Sequence, residues 1–586
     1  MLILFEERIV ARRLIEKARD RLAREVGTVY KSHAGNVRFA LAFPNTYYVG
    51  MSSLGFQTVY RVLNGLDGAV CERTFLPDPP ELEDVRRTGA PLLTMESQTP
   101  VRDFDVLAFS VSYELDYVNL LRVLSLSRLD LTADERERGQ PLVLAGGPAV
   151  TFNPEPLAPF VDAFVIGEAE EVLPELVNVL YNKLNVGRTE SLKALSGIEG
   201  VYVPRFYRPV YRSDGMLERV DALEGAPPRV KRRWVPELES YDATTAILTP
   251  ETEFSNMVLA EVARGCGRQC RFCIAGYAFL PPRARAAERV LAGIHRTEEK
   301  AQRRSIGHPR IGLVGASVFD HPSSLLVCRS LVERNRLFSI SSLRADTLNR
   351  DIAETLHRGG HETLTIAPEA GSERLRLVLN KPMSDEEILG AAAIAWDGGF
   401  RRLKLYFMVG LPTETPEDVG GIASLVTRIA AMFRWRRVTA SVSCFVPKPW
   451  TPFQWAPMEE QKRLAEKLGA IRRALRPLKS VTVGGESARE AVVQGVLARG
   501  DRRLRDVLLA AHGQELSWRM AFRESGTDPH FYAQRPRHEK EVFPWDHIDL
   551  GVRKDYLWRE YERAMDAAPT PACVVRTCRR CGVCHG

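Results

Sequence analysis

The sequence predicts an α/β chain: an N-terminal doubly wound (Rossmann-like) parallel sheet, a partial (β/α)6 barrel, a mainly helical C-terminal region and a Cys-rich tail. Three observations predict it. Short apolar runs closed by turn residues alternate with helical stretches in two separate series. A Pro-, Arg- and Glu-rich stretch at 200–250 lies between the two series. Seven of the ten cysteines fall in two tight clusters, at 266–273 and 573–584.

A chain of 586 residues is longer than one hydrophobic core usually serves, so several domains are expected. With 45% hydrophobic and 26% charged residues, the composition is that of a globular protein rather than a disordered one. The net charge of +7 is mild; it permits an anionic partner without demanding one. The start, MLILFEERIVARR, breaks into charges too early for a signal peptide, and no apolar run is long enough for a membrane span. The expectation is therefore a soluble, cytoplasmic chain, in which clustered cysteines mean metal rather than disulfides.

Residues 1–34 mix apolar and basic residues and read as a helical segment. In the first series VRFALAFP (37–44), VCERTFL (70–76), FDVLAFSVS (104–112), QPLVLAGG (140–147) and DAFVIGE (162–168) read as strands, with helices from Gly55, Tyr117 and Glu170 between them. This alternation gives a doubly wound sheet over 35–200. Ligands of such sheets sit at the carboxyl ends of the strands. Those ends carry Pro44–Asn45–Thr46, Ser110–Val111–Ser112, Gly146–Gly147–Pro148 and Gly167–Glu168. Residues 201–250 read as a linker. The second series, MVLAEVARG (257–265), RIGLVGAS (310–317), FSISSLR (338–344), ETLTIAPE (362–369), RLKLYFMVG (402–410) and VTASVSCFVP (438–447), supplies six strands for a partial barrel over 251–457. Residues 458–565 read as helical and 566–586 as a metal-binding tail.

Within ARGCGRQCRFC, Cys266, Cys270 and Cys273 follow the first barrel strand, at the end where barrel enzymes place their chemistry. Soft thiolates suit iron–sulfur ligation. Three of them leave one iron of a four-iron cluster open to a chelating ligand. Structural zinc wants four ligands, and neither a His nor a fourth Cys lies nearby in the sequence.

With Phe272 as the aromatic residue before the last cysteine, the segment resembles the radical S-adenosylmethionine superfamily, whose pattern is CxxxCxφC; the likeness spans residues 255–450. The whole chain resembles a family of that superfamily with an N-terminal cobalamin-binding-like domain, often fused to or encoded with a small partner domain. The resemblance implies a 4Fe–4S cluster on the three cysteines and S-adenosylmethionine chelated to the open iron. It implies an electron donor such as flavodoxin or ferredoxin, and a 5′-deoxyadenosyl radical that abstracts hydrogen from an unactivated carbon. It also implies cofactor-binding positions at the strand ends. Gly315–Ala316–Ser317 stands where the family's GGE-like motif contacts the methionyl amine, with Ser317 in place of the glutamate. Ser342 and Arg344 end the third strand; Glu369, Ser372 and Arg374 end the fourth. Glu369 is expected to accept from ribose hydroxyls, and Arg344 or Arg374 to pair with the carboxylate as a fork. The alternative is that Glu369 and Arg374 pair with each other. Gly410–Leu411–Pro412–Thr413–Glu414–Thr415 resembles the family's GLPGET signature near adenine, with Thr413 in place of the Gly.

The first sheet resembles the cobalamin-binding domain of one large radical subclass. The likeness lies in Pro44–Asn45, in Gly146–Gly147–Pro148 followed by Asn153–Pro154–Glu155–Pro156, and in the run from Val165 to Glu170. The mutase-type DxHxxG motif is absent. Either cobalamin binds without that His, or the domain holds substrate or nothing. Methylthiotransferases are set aside, because their N-terminal domain brings three cysteines and this one has only Cys71.

Cys573, Cys578, Cys581 and Cys584 form a compact four-thiolate set, which suits zinc or a second, auxiliary iron–sulfur cluster. Arg499, Asp501, Arg502 and Arg503 read as a capped, salt-bridged helix start, or as a phosphate site. The leading functional reading is radical modification of an unactivated carbon, by methylation where cobalamin binds. A cobalamin-independent radical oxidoreductase or rearrangement enzyme is the first alternative. An RNA- or ribosome-binding module with structural metal sites is the second. It rests on Arg229, Lys231, Arg232 and Arg233, and on Arg434, Arg436 and Arg437 around Trp435.

Overall fold

The computed structural model describes residues 2–136, 139–304, 307–513, 517–575 and 577–585. The first helix, Leu2–Arg24, lies against the helix Pro79–Thr88 through Val10, Val85 and Ala90. It ends well before residue 34. Gly27 has φ +109, and a Cβ there would lie 2.1 Å from the carbonyl oxygen of Ala246. The chain turns instead to bridge Val26 with Leu248.

The first series forms one six-stranded sheet. Its strands are β1 (Val37–Thr46), β2 (Ala69–Leu76), β3 (Val106–Ser110), β4 (Leu142–Gly146), β5 (Ala163–Val165) and β6 (Val201–Tyr202), in the order β2-β1-β3-β4-β5-β6. The pairings from β2 to β5 are parallel and β6 runs antiparallel to β5. The connection reverses direction between β1 and β3, which makes the crevice above their carboxyl ends the topological switch point. The helices Leu54–Gly65 and Ala169–Lys183 pack against each other beside this crevice.

The stretch 201–250 is more than a linker. Besides β6 it holds a hairpin, β7 (Tyr207–Tyr211) with β8 (Leu217–Ala222), and a short strand, β9 (Val230–Lys231). Arg232 is buried, and its guanidinium donates to the carbonyl oxygen of Ala278 at 2.8 Å.

The barrel begins with β10 (Val258–Glu261), followed by a two-stranded clasp of β11 (Ala263–Arg264) and β12 (Arg283–Ala284). The strands β13 (Ile311–Val314) and β14 (Phe338–Ile340) continue the first arc in parallel. The second arc is β15 (Thr363–Glu369), β16 (Arg402–Val409), β17 (Arg437–Cys444) and β18 (Val481–Gly485), again parallel. A parallel bridge from Leu343 to Ile366 joins the arcs. Thus the expected six strands are present, and a seventh, β18, comes from the region expected to be helical. Two barrel helices start on capping boxes, Ser384 with Glu387 and Thr415 with Asp418, each satisfying otherwise orphaned backbone donors.

Residues after β18 are mainly helical but return to the first domain. The strand β19 (Ile548–Asp549) pairs in parallel with β9, and the Asn153 amide donates to the carbonyls of Ala498 (3.1 Å) and Gly500 (2.8 Å). The Arg499 group is structural. Arg499 is fully buried and donates to five backbone acceptor contacts on Gln454, Ala456, Tyr532 and Ala533. Arg502 pairs with Glu155 and Arg503 with Asp501. No cation is left for a phosphate among these three. Trp435 is 5% exposed, stacked edge-on against Trp396 and Phe433, so it offers no face to a base. With Arg232 buried as well, the nucleic-acid reading loses its interleaved aromatic and part of its basic patch. No helix among the described residues is long and apolar enough to cross a membrane.

Candidate active site at the barrel mouth

The clasp of β11 and β12 pinches off the loop that carries the cysteine triad. Gly265 opens it at φ +80; a Cβ there would lie 2.3 Å from the carbonyl oxygen of Phe279, so only glycine fits. Cys266, Cys270 and Cys273 face a common, poorly solvated space. Burial pushes all three thiols up, Cys273 to about 12, and the charge on each raises the next: Cys273 feels Cys270 and Cys266, and Cys266 feels Cys270. Gln269, between the first two cysteines, is wholly buried with φ +56, and neither atom of its side-chain amide has a partner among the described residues. Such an orphaned amide is what a bound polar group would satisfy.

Among the described residues, no three His, Cys, Asp or Glu side chains converge on a point suited to a single ion. Three soft donors on one short loop, close enough to raise one another's pKa, fit a four-iron cluster with one open iron. Ligation would deprotonate the thiols that burial keeps neutral.

The strand ends add charge around the triad. At the end of β15 the register slips between Ile366 and Glu369, which takes φ +70. Its carboxylate holds the nearly buried Lys381 ammonium at 2.8 Å. Lys381 and Arg344 both act electrostatically on Cys270. The Arg344 guanidinium is held by Asp346 at 2.9 Å, and Arg268 by Asp320, which also accepts from Ser317. Lys381 is the site residue that sequence reasoning missed; Asn380–Lys381–Pro382 carries no metal-ligand or strand-end signal.

Arg374 goes elsewhere. It pairs with Asp418 and donates to the Thr413 carbonyl at 2.8 Å, leaving Glu369 to Lys381. Ser372 caps the helix Glu373–Val378, and its hydroxyl donates to the same Asp418. The pairing of Glu369 with Arg374 considered from the sequence is therefore absent. Gly410 has φ +82, and its N–H donates to Glu414 at 2.9 Å; Glu414 in turn holds Lys467 at 2.7 Å. Thr413 sits at φ +61, the left-handed conformation in which glycine is at ease. Phe272 lies in an apolar group with Leu375, Leu411, Phe445 and Phe453; Pro412, beside Leu411, continues that turn. Ser342 is exposed.

A cavity of about 470 Å³ joins this mouth to the first sheet. The sheet contributes Ser110, Ser112, Gly146, Gly147, Pro148 and Gly167 from its strand ends. The barrel contributes Gly265, Phe279, Gly315 and Ala316. Val59, Leu63, Leu173 and Leu176, from the two helices beside the sheet, give the cavity an apolar wall. No histidine is among the described residues that line it. Gly147 has φ +107, and a Cβ there would lie 2.6 Å from the Val111 carbonyl, which explains this turn at the cavity rim. The two domains are locked beside the cavity by Arg264. Its guanidinium reaches Glu168 (2.8 Å), Glu170 (2.8 Å) and Glu261 (2.9 Å), while Arg283 holds Glu168 at 2.6 Å. Burial acts to raise the Glu168 pKa, but the bond to Arg283 and the charges of Arg264 and Arg283 hold it below the ordinary value.

The tail lies against the far side of the triad loop. The N–H of Cys573 donates to the carbonyl of Gly267 at 2.7 Å. The fully buried Arg271 joins the loop to Glu560 at 3.2 Å, and to the carbonyl of Ala568 at 2.6 Å.

Two family models match the chain. "Radical SAM proteins, N-terminal" covers residues 55–204 and "Radical SAM superfamily" covers residues 260–426. Among curated proteins, the uncharacterized protein MJ0966 of Methanocaldococcus jannaschii is 30% identical over 467 residues, 79% of this chain and 89% of that protein. The uncharacterized methyltransferase PH0819 of Pyrococcus horikoshii is 27% identical over 294 residues, 47% of this chain and 56% of that protein. Among solved structures, TsrM from Kitasatospora setae, a radical S-adenosylmethionine methyltransferase with cobalamin and a [4Fe-4S] cluster bound, matches with TM-score 0.46 and 15% identity. That match covers 74% of this chain and 75% of that one. The cobalamin-dependent radical enzyme OxsB matches with TM-score 0.45 and 14% identity, over 68% of this chain and 53% of that one.

Proposed function

This chain belongs to the radical S-adenosylmethionine superfamily, and from that premise we propose that it is a cobalamin-dependent enzyme transferring a methyl group to an unactivated carbon. One observation carries the reading: the strand ends of the first sheet and the glycine leading into Cys266 open into one cavity of about 470 Å³. The apolar wall at Leu63 and Leu176 suits an aromatic base, and the hydroxyl-bearing rim suits the amide side chains of a flat macrocycle. A relative named as a methyltransferase, 27% identical, supports the same reaction class.

A four-iron cluster with an open iron supplies one-electron cleavage of the sulfonium of S-adenosylmethionine, and cobalamin supplies a transferable methyl group. The protein's part is to hold and orient. Cys266, Cys270 and Cys273 would hold the cluster. Lys381 and Arg344 would offset its negative charge and offer cations to the carboxylate of S-adenosylmethionine. Glu369 fixes the Lys381 ammonium from behind. Gly315 and Ala316, which line the cavity, would offer backbone carbonyls to the methionyl amine. The apolar walls keep water from the reacting atoms. The electron comes from a low-potential one-electron carrier of the flavodoxin or ferredoxin class.

The test is anaerobic reconstitution with iron, sulfide and hydroxocobalamin. Stoichiometric cobalt is expected, and Thr58→Phe, which fills the cavity, is expected to lower cobalamin retention by about tenfold, roughly 1.4 kcal/mol, with iron unchanged. Reconstituted protein with full iron and no cobalt refutes cobalamin dependence and leaves the cavity to substrate.

A further inference from the structure

Four thiols gather in the tail. Cys573 and Cys578 are hydrogen-bonded to each other, and Cys573 also feels the charges of Cys581 and Cys584. Cys581 is 2% exposed. N–H groups already point at sulfur: Arg580 Nε donates to Cys578 Sγ at 3.3 Å, and the backbone N–H groups of Arg580 and Val583 donate to Cys578 and Cys581. The set is anchored where it stands. The Arg553 N–H donates to the Cys581 carbonyl at 2.9 Å, and the Arg580 guanidinium to the Pro571 carbonyl at 2.6 Å.

Its contact with the triad loop is backbone to backbone. Gly267 adjoins Cys266, and its carbonyl accepts from the Cys573 N–H at 2.7 Å. A Cβ on Gly267 would lie 3.5 Å from the Cys573 Cβ, which is van der Waals contact, so the two backbones pack directly against each other here. A second bond runs alongside: the Thr570 N–H donates to Asn380 Oδ1 at 2.8 Å, and the Asn380 amide donates to the Gln269 carbonyl at 3.1 Å. One hydrogen bond and one residue, Gly267, thus separate the backbone of a tail cysteine from that of a triad cysteine. Four thiolates suit either zinc or a four-iron cluster, and it is the contact with the triad loop that favours a redox-active centre.

We propose that Cys573, Cys578, Cys581 and Cys584 bind a second 4Fe–4S cluster, and that this cluster relays electrons to the triad through the Cys573–Gly267 contact. The proposal rests on the radical S-adenosylmethionine reading of the triad. Four thiolates leave no iron open, so the tail centre binds no substrate and its chemistry is electron transfer alone. A reduced flavodoxin-class carrier gives up one electron and is oxidised by one unit. The tail cluster takes that electron and then returns to its oxidised form as the electron passes to the triad. No bond breaks in the protein and no proton moves.

The first test uses full-length protein carrying Cys266→Ser, Cys270→Ser and Cys273→Ser, whose tail is untouched. It is reconstituted anaerobically with ferrous iron and sulfide in the presence of zinc. About four irons per chain and a reduced-cluster signal in electron paramagnetic resonance after dithionite are expected. Zinc without iron, no metal, or a cluster that dithionite does not reduce overturns the proposal.

The companion protein carries Cys573→Ala, Cys578→Ala, Cys581→Ala and Cys584→Ala, and about four irons are expected to remain at the triad. Its triad should be reduced by dithionite at the parent rate and by reduced flavodoxin about tenfold more slowly. Equal rates with flavodoxin overturn the relay. Iron present in the triad variant but absent from a folded tail variant refutes the reading of the triad instead.

Discussion

Arg271 offers a quantitative probe of how the triad loop is held. It lies between Cys270 and Cys273 and is fully buried, where desolvation pulls its guanidinium below the ordinary arginine range. It donates to Glu560 at 3.2 Å, to the carbonyls of Leu377 (3.2 Å), Val378 (3.1 Å) and Ala568 (2.6 Å), and to the Thr570 hydroxyl at 3.2 Å. Arg271→Met keeps most of the apolar stem and removes every donor. The Glu560 side chain, 4% exposed, then keeps the Thr570 hydroxyl at 2.7 Å and only a long ion pair to the half-exposed Arg563, at 3.8 Å. Stranding one partner of a buried pair costs about 3–5 kcal/mol, and the carbonyls left without a donor add about 1 kcal/mol or more. The variant should therefore lose about 4–6 kcal/mol in the barrel. Adding Glu560→Leu removes the stranded charge and should restore about 2–3 kcal/mol of that. Urea midpoints followed by circular dichroism measure both, and iron retained after gel filtration reports whether the loop still holds its metal. An Arg271→Met midpoint equal to the parent's, or a double variant no more stable than the single one, would refute the reasoning.

Three further outcomes follow from the same geometry. Lys381→Met should weaken S-adenosylmethionine binding in equilibrium dialysis by about tenfold or more, roughly 1.4 kcal/mol, with Lys381→Arg close to the parent; equal affinity for all three excludes the ammonium from the site. Glu168 has a depressed pKa in the folded chain, so the stability it contributes is complete above its ordinary value of 4.5 and fades as pH falls through the lower, folded value. Glu168→Gln should be less stable than the parent at neutral pH, with the gap closing as pH falls below 4.5; a constant gap contradicts this. Gly265→Ala forces a side chain to 2.3 Å from a carbonyl oxygen at positive φ and should lower bound iron while leaving the first sheet folded, as judged by iron analysis and limited proteolysis.

Much of the architecture is legible in the sequence because each long strand is an apolar run stopped by turn residues. Val37–Thr46 and Arg402–Val409 are examples. The triad is legible because its three ligands are local. What escapes has a physical reason. The strand β18, VTVGG, lies at the end of its arc, is half exposed and weakened by two glycines, so its pattern is faint. The strands β9 and β19 are two residues each and exist only because distant parts of the chain meet. Lys381 becomes a site residue only once Glu369 is pulled out of register towards it. Arg374 looks like a free fork until Asp418, part of the next helix's capping box, takes it up. Spacing alone brings the tail cysteines together in the reading but gives no sign that Cys573 lands on Gly267.

The contact of Arg271 with Glu560 spans 289 residues of sequence. On a ribosome adding roughly 5–20 residues per second, the triad loop emerges roughly 15–60 s before the helix and tail that cover its far side. Throughout that interval Gly267 has no partner and the loop is open from behind. The order of synthesis thus sets a window for iron delivery. Metal that arrives within it meets a loop with one face uncovered, and metal added to the finished chain, as in reconstitution, meets the loop with the tail contact already made.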